Sequence, residues 1–335
     1  MTRIDSETIA LYADLHERLE IADKMRSIAT LSGEFVTKKI KGGLYHYFQA
    51  TLPFGRTQIY LGSDNPEIQS LIQNRTEGIA QTESDQRLFK RLGAQIMAGH
   101  VTPVPNEMAK VISKLSDCAL FHAGAVLVGS IAFKVLETHL GVRFGNHVTT
   151  TQDIDIAGSL RVTLAIPDSK TDIPSAIAAL KMGFFPVPGF SHKDPSTSYA
   201  IRGKTLRLDL LTLQEKGREE PVFISRFNAA AQPLKYLDYL IEDPIKAVLI
   251  CGTPFLVTVP QPARFALHKL LISQKRNLSS AAKKQKDILQ AKLLLEVLQE
   301  DRPGDIDMAR TELIKKGANW EKKLLKASQE NHILL

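Results

Sequence analysis

FHAGAVLVGSIAFKVLETHLGVRFGNHVTTTQDIDIA, Phe121 to Ala157, is the stretch that decides the fold. It reads as strand, tight turn, helix, loop, strand. Residues 119–128 are almost continuously apolar, as expected for a strand buried on both faces. Gly129-Ser130 marks the break into a helix, and Ile131, Val135 and Leu136 then keep helical spacing. A polar loop over 141–150 carries Arg143, Asn146 and His147. Asp153 and Asp155 stand two apart on the following strand, so both belong to one of its faces. A third acid, Asp209, lies in another apolar strand, LRLDLLTL.

These residue types suit phosphate chemistry. Glycine lets backbone approach an anion closely. The start of the next helix directs free N–H groups and a positive dipole end at it. Ser130 adds a hydroxyl donor. Carboxylates on neighbouring strands suit magnesium, a hard cation that prefers oxygen ligands. Two such ions, about 4 Å apart, can hold both the attacking and the leaving oxygen of a displacement. The expectation is a two-magnesium site with a nucleoside triphosphate as substrate. Asp153, Asp155 and Asp209 are its candidate metal ligands and catalytic groups, and Gly129 and Ser130 its phosphate-binding turn. A lone D-I-D or G-S is common, and a lone strand Asp is often structural. In this order and together they point to one site.

Working outward, residues 5–31 predict a helix, with Leu11, Leu15 and Leu19 four apart and Asp5 or Ser6 as cap. FVTKKI, LYHYFQA and TQIYLG, punctuated by Gly and Pro, predict a three-stranded antiparallel meander. Tyr45, Tyr47 and Tyr60 with Lys38, Lys39 and Lys41 suit a stacking surface for RNA. The plainer reading is a sheet with one face on the core and ordinary lysines outside. Helices are expected at 84–99, 106–116 and 173–182, the last capped by Thr171 or Asp172. Residues 183–198 read as a loop, and SYAIRGKTLRLDLLTL as a hairpin carrying Asp209. A short helix over 231–242 and one or two strands over 246–259 follow. The C-terminus is helical over 264–274, 281–300, 307–316 and 320–325.

Composition is that of an ordinary globular protein, 44% hydrophobic and 24% charged. No apolar run is long enough to span a bilayer, and the N-terminus lacks the apolar core of an export signal. Cys118 and Cys251 sit in apolar context and read as free thiols of a cytoplasmic protein. The net charge is +7, concentrated in residues 261–335 with 15 Lys/Arg against 9 Asp/Glu. That segment suits an anionic partner, although a solvated helical surface is the plain alternative. Lys269 and, two turns on, Arg276 share one helix face, and Lys286 begins the face of the next helix; a snorkelling surface lysine is the plain reading of Lys269. His122, His139 and His268 lack zinc-site spacing and read as polar or surface histidines.

The central region resembles the DNA polymerase β-type nucleotidyltransferase superfamily. GSIAF followed by TTQDIDIA is similar to the bacterial branch with the AbiEii and MenT toxin-like transferases. LDLLTL, AQPLKYLDYL and VPQPARFALHKLL extend the likeness to a bacterial nucleotidyltransferase-fold family. The resemblance implies an α/β (α+β) protein with a small mixed sheet flanked by helices, and a helical C-terminal domain. In related transferases such helices supply cations to the triphosphate, which makes Lys269 the first candidate for that role here and Arg276 and Lys286 weaker ones. Twenty-two residues separate Ser130 from Asp153, more than the minimal superfamily pattern has. The expected units are 1–100 (helix and meander), 101–225 (catalytic) and 226–335 (mostly helical). The expected function is magnesium-dependent transfer of a nucleotide from a triphosphate to an acceptor. The family fixes no substrate, and RNA, a tRNA 3′ end among the candidates, is the first guess because the charge is basic and related toxin-like transferases act there. Transfer to a protein hydroxyl, or a catalytically silent nucleotide- or RNA-binding module, are the alternatives. A neighbouring regulatory protein is a further candidate partner.

Overall fold

A computed structural model describes residues 1–24, 33–40, 42–52, 55–117, 120–121, 124–145, 153–158, 172–188, 195–203, 206–214, 220–225, 228–274 and 281–334. Strand β1 (Thr2–Arg3) leads into helix α1 (Ser6–Lys24). Asp5 caps this helix, accepting from the Thr8 N–H at 2.8 Å and the Thr8 hydroxyl at 3.0 Å. Leu15 and Leu19 of the expected stripe are buried; residues 25–31 of the expected helix lie outside the described residues.

The meander forms as read: β2 (Gly33–Ile40), β3 (Gly43–Leu52) and β4 (Gly55–Ser63) pair antiparallel in chain order. Lys41 lies outside the described residues. Helix α2 (Pro66–Ala98) starts far earlier than expected. Ile68, Leu71, Ile72 and Ile79 hold helical spacing over 66–83, but so sparsely that the pattern is weak. The start is written in the cap instead: Asn65 accepts from the Ile68 N–H at 2.8 Å, with Pro66 in the first turn.

Next come α3 (Asn106–Asp117), β5 (Val126–Val128), α4 (Gly129–His139), β6 (Val142–Arg143), β7 (Asp153–Gly158) and α5 (Ile173–Ala179). Asp172 caps α5, accepting from the Ser175 N–H at 2.9 Å. Then follow β8 (Phe184–Pro186), β9 (Ser198–Ile201), β10 (Arg207–Leu213), β11 (Val222–Ile224), β12 (Ala229–Leu234), α6 (Leu237–Leu240), β13 (Ile245–Leu249) and β14 (Phe255–Val259). Helices α7 (Pro262–Ser273), α8 (Ala281–Asp301), α9 (Pro303–Lys315) and α10 (Ala318–Glu330) complete the chain.

The main sheet has seven strands and is mixed. Strand β7 lies between β5, antiparallel, and β10, parallel. The other edge of β10 is shared. Its first half pairs antiparallel with β9 and its second half parallel with β12. One apolar core runs from Val104 to Ile333 and joins the sheet to α3, α4 and α7–α10. A smaller one joins α1 and α2 to Val248 and Ile250. Among the described residues, no helix is long and apolar enough to cross a membrane.

Four expectations need correction. The strand expected over 119–128 is only three residues long, because a turn precedes it: Gly124 has φ +92°, and its N–H donates to the Phe121 carbonyl at 3.1 Å. Residues 231–242 are not one helix. Alanines and Pro233 continue as strand β12, and Tyr236 at φ +67° breaks the chain into the single turn α6. The loops 141–150 and 183–198 each contain a short strand, β6 and β8. Such strands are too short to show alternation; β6 is paired by the distant β1 and β8 by the next strand, β9. His268, read as polar or surface, is buried in α7, and His139 packs against Tyr12 and His16 of α1. Burial pushes the His139 imidazole down to about 4. Cys251 is a buried free thiol, which burial pushes up. His122 and Cys118 lie outside the described residues.

Candidate active site

Strands β7 and β10 position the acids. Their parallel register sets Asp155 opposite Asp209 and Asp153 opposite Arg207. Strand alternation therefore gives positions 153, 155, 207 and 209 one common face of the sheet. On the other edge of β7, Asp155 is opposite Val128, the residue before Gly129. The turn into α4 thus begins one residue beyond the strand position that faces Asp155.

The Asp209 carboxylate accepts from the Ser198 hydroxyl and, at 2.8 Å, from Arg207 Nε. Arg207 Nη2 also donates to the Ser198 hydroxyl at 3.0 Å. Asp209 keeps 25% side-chain exposure, so solvent and substrate can reach it. Sequence reading missed Ser198 and Arg207. A signal existed for both. Arg207 is two residues before Asp209 on the same strand face, and Ser198 is its cross-strand partner in the hairpin. The guanidinium among three acid positions offsets part of their mutual repulsion.

Among the described residues, no group of three or more His, Cys, Asp or Glu stands assembled for a metal; the side chains of Asp153 and Asp155 lie outside them. The donor set itself fits magnesium. It is all carboxylate, on adjacent strands, with the one described member partly exposed.

Gly129 takes φ +72°, the left-handed region. Val128 precedes α4 with extended backbone and makes no side-chain cap, leaving the first-turn N–H groups without a capping side chain. Ser130 is buried, and its hydroxyl accepts from Lys286 Nζ at 3.0 Å. A helix-α8 ammonium therefore stands at the mouth of this turn. Lys269 is engaged otherwise. Its ammonium donates to Asp287 at 2.7 Å, with side-chain exposures of 12% and 5%. Arg276 lies outside the described residues.

Replacing Gly129 by Val is expected to lower triphosphate affinity and stability together. A branched side chain fills the space the backbone needs for phosphate, and the left-handed conformation costs a non-glycine residue roughly 1–2 kcal/mol. Calorimetric titration with a triphosphate, beside thermal unfolding, checks both. Unchanged affinity would place the phosphates elsewhere.

Beside Gly129 opens a cavity of about 510 Å³. Leu211 and Gln232, paired in register across β10 and β12, form its floor on the sheet face that also bears Asp209. Phe265, His268 and Lys269 of α7 line another wall. Tyr236, at its rim, is braced by Trp320 with ring centroids 4.4 Å apart, and by Lys323, which donates to its hydroxyl at 2.8 Å. Tyr236, in the left-handed conformation at φ +67°, is thus held by two residues one turn apart on α10.

A family model described as nucleotidyltransferase matches residues 106–315. The chain belongs to this nucleotidyltransferase family. The match runs from α3 to the end of α9, so it takes in the acids, the turn and the cavity wall. Helix α1, the meander and α2 precede it. No curated protein matches this nucleotidyltransferase. Among solved structures, an antigenic nucleotidyltransferase-like protein from Paracoccidioides brasiliensis is similar at 14% identity and TM-score 0.35, over 67% of this chain and 94% of that one.

Proposed function

We propose that this nucleotidyltransferase moves a nucleoside monophosphate from a triphosphate to an RNA hydroxyl, with magnesium held by Asp153, Asp155 and Asp209. The observation that carries the reading is the register: Asp155 lies between Asp209 on one neighbour and the lead-in to Gly129 on the other. Acids and phosphate turn are thereby adjacent through backbone pairing alone. When bound, magnesium would offset the charge that builds on the phosphate oxygens.

The chain's own residues do the rest. The N–H groups at the start of α4 hold the triphosphate oxygens, and Lys286, already on the Ser130 hydroxyl, supplies a cation to them. The cavity beside Gly129 is large enough to take the nucleoside. The acceptor oxygen attacks the α-phosphorus, the bond to the bridging oxygen breaks, and pyrophosphate leaves. Asp209 takes the acceptor's proton, with Arg207 and Ser198 holding the carboxylate in place. Support for RNA is the basic C-terminal segment, where Lys283 and Lys292 are exposed, together with the resemblance to toxin-like transferases of bacteria.

The test is incubation of the protein with each α-labelled triphosphate, magnesium and cell extract. Label in RNA is the expected result. Label in protein would replace the RNA acceptor with a protein hydroxyl. No label from any triphosphate would overturn transfer itself.

A further inference from the structure

We infer that the open face of the meander is a stacking platform for single-stranded RNA. It lies ahead of the region the nucleotidyltransferase family accounts for. The inference rests on the RNA-acceptor reading and gives the acceptor a second point of attachment.

The meander has two unlike faces. His46 and Phe48 are buried on one, where His46 also bonds Asp64 at 2.9 Å. Helix α2 packs on that side: a Cβ added at Gly62 would meet Ile68 of α2. Alternation places Lys38, Tyr45, Tyr47 and Tyr60 on the opposite face. None of these four is buried, and Tyr60 is 56% exposed. Tyr47 and Tyr60 are cross-strand partners with ring centroids 5.3 Å apart, and Tyr45 lies 6.4 Å from Tyr60. Lys38 Nζ sits 4.8 Å over the Tyr47 ring.

Three aromatic rings side by side on a sheet, two partly and one largely exposed, match the way sheet-based modules stack unpaired bases. Charge selects the occupant. Residues 33–63 carry Lys38, Lys39, Lys41 and Arg56 against the single acid Glu34. A polyanion with flat apolar faces satisfies both features; an acidic protein would satisfy the charge and leave the rings unfilled. A duplex keeps its bases stacked on each other and so has no face to offer the rings.

The test uses the full chain and a labelled, unstructured oligoribonucleotide, with affinity read by fluorescence anisotropy at fixed salt. Tyr47→Ala and Tyr60→Ala should each weaken binding by roughly 5- to 150-fold, the loss expected for one stacked base. Tyr60→Trp should retain it. Lys38→Gln should flatten the salt dependence by about one counterion. The tyrosines do not face the core, so triphosphate affinity should stay at the wild-type value and the unfolding temperature should fall by no more than the loss of one cross-strand aromatic pair explains. Wild-type RNA affinity in the Tyr47→Ala, Tyr60→Ala double variant would overturn the platform, as would equal binding of duplex RNA. A change of oligomeric state on Tyr60→Ala would make the face a protein interface and overturn it too. If RNA still receives label while the tyrosine variants bind it normally, the platform fails and the acceptor reading stands. If RNA receives no label yet binds through the tyrosines, the acceptor reading fails.

Discussion

Replacing Asp155 by Asn should reduce nucleotidyl transfer by roughly 10²–10³-fold or more, with the fold left in place. Asn has nearly the shape of Asp and lacks its charge, so it is a poor partner for a hard divalent cation. Position 155 is the most central of the three acids, with Asp209 on one side and Val128 on the other. Those pairings are made by backbone, which the substitution does not touch. Like-charged groups crowded on one face repel, so neutralising one should leave the apo protein as stable or slightly more so. Transfer rate and thermal midpoint, measured on the same preparation, separate the two effects. Full transfer activity in Asp155→Asn would sink the assignment of the acids. Loss of activity accompanied by unfolding would make Asp155 structural.

Lys269→Met should destabilise the protein, by up to about 3–5 kcal/mol, because it removes a counter-charge from a buried carboxylate. Asp287 has only 5% side-chain exposure, and Lys269 12%. Neither charge regains much water when the other is removed. The pair joins α7 to α8, and Asp287 is the residue after Lys286, whose ammonium reaches Ser130. Weakening the pair should therefore also loosen the cation at the phosphate turn. The double variant Lys269→Met, Asp287→Leu should regain most of the stability, since matched apolar groups can replace a buried ion pair at little cost. It also decides the role of Lys269. Wild-type triphosphate affinity in the double variant leaves Lys269 a strut between helices. Weakened affinity in a double variant of restored stability gives the Lys269–Asp287 pair a part in triphosphate binding, through its own ammonium or through Lys286. Chemical denaturation and calorimetric titration give the two numbers.

Much of this architecture is local and can be read from the chain. The meander, the β9–β10 hairpin, β7 and helices α3, α4, α7 and α8 stand near where their patterns place them. In each, a period of two or of about three and a half, ended by Gly, Pro or a capping side chain, already says which face goes inward. The same alternation puts positions 153 and 155 on one face. It cannot say that Asp209 is the neighbour of Asp155, because pairing between strands is a choice among distant partners, settled by burial of the whole sheet. Strand β12 shows the limit from the other side: its alanines and Pro233 carry no period, and it becomes a strand because β10 and β11 offer it two edges. Long-range placement also separates the lysines. Lys269 and Lys286 look alike as basic residues on C-terminal helices, yet one is tied to Asp287 and the other reaches Ser130, 156 residues earlier. A side chain's period along its own helix reports its face. Which charge waits opposite that face depends on how helices α7 and α8 pack over the sheet, and only the folded chain sets that.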